Sequence, residues 1–202
     1  NVGELMTYLG EKGLLENTIV VFTADHGDLM GEHAQKNKGL PYEASACIPF
    51  IMAYPGQITA GKVLSKAYTV ADFTPTILDL MGINYTASEF DGENVSADFL
   101  SNTSPEDPDR IVYVTNAASR WVAAVNHRYK LVLSPSDRPY LFDLELDPHE
   151  IINFYDDPAY KDIAETLKSE LILQMQEYNE PLYSEGTIIY DYTPCEKGDN
   201  PI

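Results

Sequence analysis

The chain has 202 residues, 44% of them hydrophobic, which is enough for a real core and for one or two domains. Its formal charge of −19 argues against nucleic acid or an anionic membrane as partner, so an anionic substrate needs a local positive spot, from a lysine or a metal. No run approaches the ~20 apolar residues of a membrane span, no basic-then-apolar leader is read, and Cys47 and Cys195 make neither a metal spacing nor a disulfide framework.

Residues 2 to 12 read as a helix with Val2, Leu5, Met6 and Leu9 on one face, and Gly13 stands where a helix end takes positive φ. Thr18 to Thr23, in "NTIVVFTADHG", is β-branched and almost continuously apolar, which predicts a strand buried on both faces. Helix, short loop and buried strand make the unit of an open parallel α/β sheet. "CIPFIMAYPG" supplies a second strand, Ile48 to Tyr54, closed by Pro55 and Gly56. "YTVADFTPTILDLMGI" reads as a helix capped by Thr74, with Pro75 in its first turn and Gly82 at its end.

Residues 84 to 109 are polar and proline-rich, a long surface connection carrying three glycosylation sequons at Asn84, Asn94 and Asn102. Beyond them "RIVYVTN", "RWVAAVN", "YKLVL" and "PYLFDL" read as an antiparallel meander. An amphipathic helix over 158–178 follows, with Ile163, Leu167, Leu171 and Met175 at helical spacing, and "PCEKGDNPI" is an irregular tail.

The chemistry collects in "TADHGDLMGEHAQKNKGLPYE", residues 23 to 43. Asp25 and His26 fall just past the first strand, where open α/β sheets bind ligands. A carboxylate oxygen and an imidazole nitrogen at one strand end can face one ion, and Gly27 lets the chain turn away. The bland alternative is a polar loop in which Asp25 caps the next helix. Lys38 is a candidate for binding an anion beside such a metal. Spacing does not separate it from Lys36, and an isolated loop lysine is ordinarily solvated. His33 is a candidate hydrogen-bond donor or acid, or else a structural loop histidine.

These residues carry a resemblance. "NTIVVFTADHGDLMGEH", "KGLPYEASACIPFIMAYPG" and "VADFTPTILDLMGI", in that order, resemble the C-terminal portion of a formylglycine-dependent type I sulfatase of the alkaline-phosphatase superfamily. "HRYKLVLSPSDRPYLFDLELDPHEIINFYDDP" resembles the family's closing segment, so the likeness runs over roughly residues 2 to 180. The resemblance implies that Asp25 and His26 ligate a divalent cation, usually calcium. It also implies that Lys38, four residues before Tyr42, binds the sulfate, and that His33 lies near the site. It implies further that a formylglycine hydrate attacks sulfur while metal and lysine act as preorganised charge.

Two departures accompany it. The family's nucleophile motif C/S-x-P-x-R does not occur in this sequence, and Cys47 stands where family members carry an arginine, which leaves that arginine's contact in question. The resemblance therefore implies the C-terminal part of a sulfatase, inactive alone and dependent on the N-terminal half of the same polypeptide or on self-association. The parent's substrate would be a sulfated small molecule or glycan, in a periplasmic, secreted or lysosomal-like setting that the sequence does not choose. A phosphodiester or phosphonate-ester hydrolase of the same superfamily is the alternative, and a non-catalytic binding module is the third reading. The expected fold is α/β. Residues 1–100 form the last part of an alkaline-phosphatase-like mixed sheet with flanking helices. Residues 101–202 form an antiparallel subdomain of about four strands with a packed helix.

Overall fold

A computed structural model of the chain describes residues 1–100, 107–116, 118 and 120–190. They form two compact units, one of Asn1–Lys38 with Tyr42–Arg110, the other of Gly39–Pro41 with the residues from Ile111 onward. Cys195 and the tail lie outside the described residues, as do Asn102 and its sequon.

The first unit opens with α1 (Val2–Glu11), which Gly13 ends at φ +66 while Leu14 N–H reaches back to the Leu9 carbonyl at 2.9 Å. Strand β1 (Val20–Thr23) follows, then the single turn α2 (Glu43–Ala46) and strand β2 (Phe50–Ala53). β1 and β2 pair antiparallel, from Val20 opposite Ala53 to Thr23 opposite Phe50. This differs from the parallel unit expected from sequence. Residues 24–49 join the two strands and are long enough for either direction, so the connection does not decide it; an antiparallel pair is compatible with the mixed sheet expected for residues 1–100. Neither strand is buried on both faces: Phe22 of β1 is 50% and Ile51 of β2 64% exposed, and α1 leaves Val2 and Leu5 about half exposed. Apolar runs report what a segment can bury, and this unit presents those side chains outward.

Helix α3 (Phe73–Leu80) is preceded by a 3-10 turn over Val70–Asp72. Its start is set by a capping box between Thr69 and Asp72, not by Thr74 as the sequence suggested. Gly82, at φ +68, ends it. Asp72 is 3% exposed and accepts from the backbone N–H of Thr69 (3.0 Å) and Glu93 (2.9 Å) and from both terminal nitrogens of Arg110 (2.8 and 2.9 Å). One carboxylate therefore ties the start of α3, the 84–109 connection and Arg110 together. That connection is more ordered than its polar composition suggested. It carries α4 (Ser96–Leu100), and Val95 N–H donates to Thr76 Oγ1 at 3.0 Å. Asn94 Oδ1 accepts from Ser96 N–H, and the Ser96 hydroxyl donates to Asp79, so both residues help order the connection.

The second unit is the expected meander. β3 (Val112–Thr115), β4 (Val122–Val125), β5 (Tyr129–Leu133) and β6 (Tyr140–Asp143) lie in chain order, each antiparallel to the next. Alternation sends Val122, Ala124, Leu131, Leu133 and Leu141 to one face, where Leu167, Leu171 and Met175 of α5 (Lys161–Glu177) meet them. Each of these leucines is at most 1% exposed, and such burial contributes about 1.5–3 kcal/mol per side chain. The short α6 (Pro181–Ser184) adds Leu182.

The "DLELDPHEIIN" segment closes this unit. Asp143, fully buried, takes a two-pronged bond from Arg128 (3.0 and 2.8 Å), Asp147 accepts from Ile152 N–H, and Asn153 bonds Leu141 and Pro139. These motif residues are structural partners of one another.

Candidate functional site at the end of β1

Two residues past β1, the Asp25 carboxylate and the His26 ring come together: Asp25 Oδ2 lies 3.4 Å from His26 Nε2. The neighbouring chain fixes the imidazole. His26 Nδ1 is 2.7 Å from the Gly27 carbonyl, which can only accept, so Nδ1 carries the hydrogen. In the neutral ring Nε2 then holds a lone pair facing the carboxylate. Lone pair opposite lone pair is unfavourable unless a proton or a cation lies between them. The Asp25 side chain is 86% exposed, so the pair opens to solvent and adds little to stability by itself.

Gly27 is required where it stands. A Cβ there would lie 2.0 Å from the Ala44 carbonyl oxygen, and Gly27 N–H donates to the Ser45 carbonyl at 3.0 Å. This close approach couples α2 to the strand end. The loop then winds tightly: Leu29 is buried, its N–H donates to the Asn37 carbonyl at 2.8 Å, and Met30, His33, Ala34 and Asn37 all have positive φ. Four non-glycine residues in the left-handed region mark a loop held in shape by its surroundings. The His33 ring stacks on Tyr42 at 3.6 Å, nearly parallel. Lys38 and Lys36 are exposed, and neither side chain forms a hydrogen bond or ion pair with another described residue.

The structure thus brings Asp25 and His26 into direct contact and seats His33 on Tyr42, and it leaves Lys38 exposed, its ammonium without a partner among the described residues. Two ligands about 2.4 Å from one cation and ~90° apart are about 3.4 Å from each other, so the Asp25–His26 separation fits two corners of a cation site. Among the described residues no third His, Cys, Asp or Glu joins them. Trp121 is 7% exposed with its indole N–H donated to the Gly39 carbonyl, so it packs; His127 is at the surface. Cys47 is exposed and is in no disulfide with a described residue. The sequence reading missed the Tyr42 platform and the Gly27–Ala44 approach. The glycine right after "DH" was the available signal for the second.

Comparison with known proteins identifies the scaffold. An arylsulfatase from Clostridium perfringens is 31% identical over 92% of this chain, and an N-acetylglucosamine-6-O-sulfatase from Bacteroides thetaiotaomicron is 29% identical over 98%. The chain spans 39% and 36% of the lengths of these two relatives. A solved structure in complex with its substrate, D-glucosamine-2-N,6-O-disulfate, superposes with a TM-score of 0.74 at 26% identity, over 89% of this chain and 38% of that one. The phosphonate monoester hydrolase of Agrobacterium radiobacter superposes at 0.69 over 95% of this chain and 42% of that one, but at 22% identity, which shows the shared fold alone. The family described as N-sulphoglucosamine sulphohydrolase, C-terminal, matches residues 31–177, most of the chain, and to that family this chain belongs.

Proposed function

We propose that this chain is the C-terminal part of a sulfate-ester hydrolase and supplies two corners of its metal site and its sulfate-binding lysine. The observation that carries the reading is the Asp25–His26 pair at the end of β1, with the imidazole fixed by Gly27 so that Nε2 and the carboxylate converge. Asp25 and His26 would hold a divalent cation. A carboxylate with an imidazole accepts a hard ion such as calcium and also suits manganese or zinc. When bound, the cation supplies fixed positive charge to a sulfate oxygen.

The chain's own residues do the rest. Gly27 orients His26. Lys38, uncommitted to any described residue, places an ammonium for an anionic oxygen in an otherwise strongly acidic molecule. His33, held flat on Tyr42, donates a hydrogen bond from its ring to the same group. The nucleophile and the remaining ligands come from an N-terminal half of the same polypeptide, which would also cover the exposed apolar side chains of α1, β1 and β2. A sulfated sugar is the favoured substrate, because relatives of this chain include a glucosamine sulfatase and an enzyme solved with a disulfated glucosamine.

The test is turnover by the full-length polypeptide of a sulfated glucosamine and of a phosphonate monoester, side by side, with and without chelator. Sulfate release that Lys38→Ala lowers about 100-fold or more supports the reading. Preferential phosphonate hydrolysis, or sulfate release indifferent to Lys38, contradicts it.

A further inference from the structure

The three residues that follow Lys38 leave the first unit: Gly39–Pro41 belong to the second, although Lys38 before them and Tyr42 after them belong to the first. Their carbonyls are held from the meander. The Gly39 carbonyl accepts from Trp121 Nε1 and from Asn116 Nδ2, both at 2.9 Å, and the Pro41 carbonyl accepts from Lys130 Nζ at 2.8 Å. Gly39 has φ +99, a conformation that suits glycine and sets the direction in which the chain leaves Lys38.

The donors are themselves built in. Trp121 is 7% exposed, and Lys130, at the second position of β5, is 1% exposed and ion-paired to Glu150 at 2.6 Å. Glu150 has φ +55, an uncommon backbone state for a residue other than glycine. A buried ion pair in a sheet is seldom the most stable choice, since apolar residues of equal volume often do as well or better. Here the ammonium delivers a hydrogen bond to one chosen backbone carbonyl. Asn116 is held by its own turn, where Oδ1 accepts from Ala118 N–H and leaves Nδ2 for Gly39.

We propose that Trp121, Asn116 and Lys130 are positioning residues for the segment that follows Lys38: by fixing the Gly39 and Pro41 carbonyls they hold the backbone to which Lys38 is directly joined. The inference rests on the proposed role of Lys38, and its test has an arm that does not. Trp121 is buried, and its N–H, the Asn116 amide and the Lys130 ammonium all donate to this segment.

Two variants remove a donor while keeping shape. Trp121→Phe removes the indole N–H, and Asn116→Asp keeps the acceptor for Ala118 while placing a carboxylate oxygen against the Gly39 carbonyl. The first arm is limited trypsin digestion of the native full-length protein, read by mass spectrometry. The Lys38–Gly39 bond, next to the clamp, is cut several-fold faster in either variant, while Lys12–Gly13 is cut at the wild-type rate. Equal acceleration at both bonds means general destabilisation and overturns the proposal, as does no acceleration at either. The second arm is a double-mutant cycle on kcat/KM with a sulfate ester. Asn116→Asp lowers it about tenfold in the wild type and has no further effect in a Lys38→Ala background. Independent, multiplying losses overturn the proposal. A Lys38→Ala protein with full activity would instead remove the role of Lys38 itself, with the digestion arm still deciding the clamp.

Discussion

Lys130→Met is the perturbation whose size the structure fixes best. Methionine matches the length of the lysine stem and deletes the ammonium. Glu150, whose side chain is 2% exposed, then keeps its carboxylate without the cation 2.6 Å away, and the Pro41 carbonyl loses a donor at 2.8 Å. Removing one member of a buried pair typically costs about 3–5 kcal/mol, and a lost hydrogen bond to a carbonyl about 1 kcal/mol, with the two not fully additive. A loss of about 4 kcal/mol is a large share of the about 5–15 kcal/mol that folded proteins have. It corresponds to roughly 8–16 °C in Tm for a chain of this size. The assay is urea unfolding followed by the fluorescence of Trp121, the single tryptophan of the chain, which lies in the same unit. Lys130→Met with Glu150→Gln, which removes the stranded charge, should recover at least half of the loss. A single variant losing under about 1 kcal/mol, or a double variant no better than the single, would refute the reasoning.

The remaining expectations concern pH, backbone and surface. Burial pushes the Asp72 carboxyl up, but the Arg110 hydrogen bonds and the Thr69 and Glu93 N–H groups outweigh it and hold it below the usual carboxylate range. Its contribution to stability is therefore complete above the ordinary aspartate pKa of about 3.9 and is lost as pH falls through the depressed value. Urea midpoints measured from pH 6 to pH 2 should fall less steeply in Asp72→Asn than in the wild type; equal slopes would contradict the assignment. Gly27→Ala forces a Cβ against the Ala44 carbonyl, so it should destabilise the first unit and weaken divalent-cation binding by the full-length protein at least tenfold in calorimetry. Wild-type affinity would show that this approach does not set the site. The half-exposed Val2, Leu5, Phe22 and Ile51 should make this chain alone self-associate with rising concentration in size-exclusion chromatography. A compact monomer at high concentration would count against a covering partner.

How far the sequence carried varies by element. The meander and α5 were readable because their periodicities are unbroken and their apolar residues bury where they fold. The end of α1 and the end of α3 were readable because Gly13 and Gly82 both adopt the positive φ that glycine offers. The β1–β2 pairing was not, since a continuous apolar run fits either strand direction and says nothing about what covers it. The start of α3 was misplaced because Thr69 and Asp72 cap through a 3-10 turn that a single capping residue does not reveal. At the candidate site, adjacency in the sequence already put Asp25 and His26 side by side at the strand end, as the structure has them. The clamp on Gly39 and Pro41 was not, because Trp121 and Lys130 lie more than 80 positions downstream and only the fold brings them to that loop.

The most direct measurement is a crystal structure of the full-length polypeptide with a divalent cation and inorganic sulfate, the metal located by anomalous scattering. The account predicts the cation bonded to the Asp25 carboxylate and to His26 Nε2, with Lys38 Nζ within hydrogen-bonding distance of a sulfate oxygen beside it. A cation bound without residues 25 and 26, or a sulfate ignored by Lys38, would contradict it.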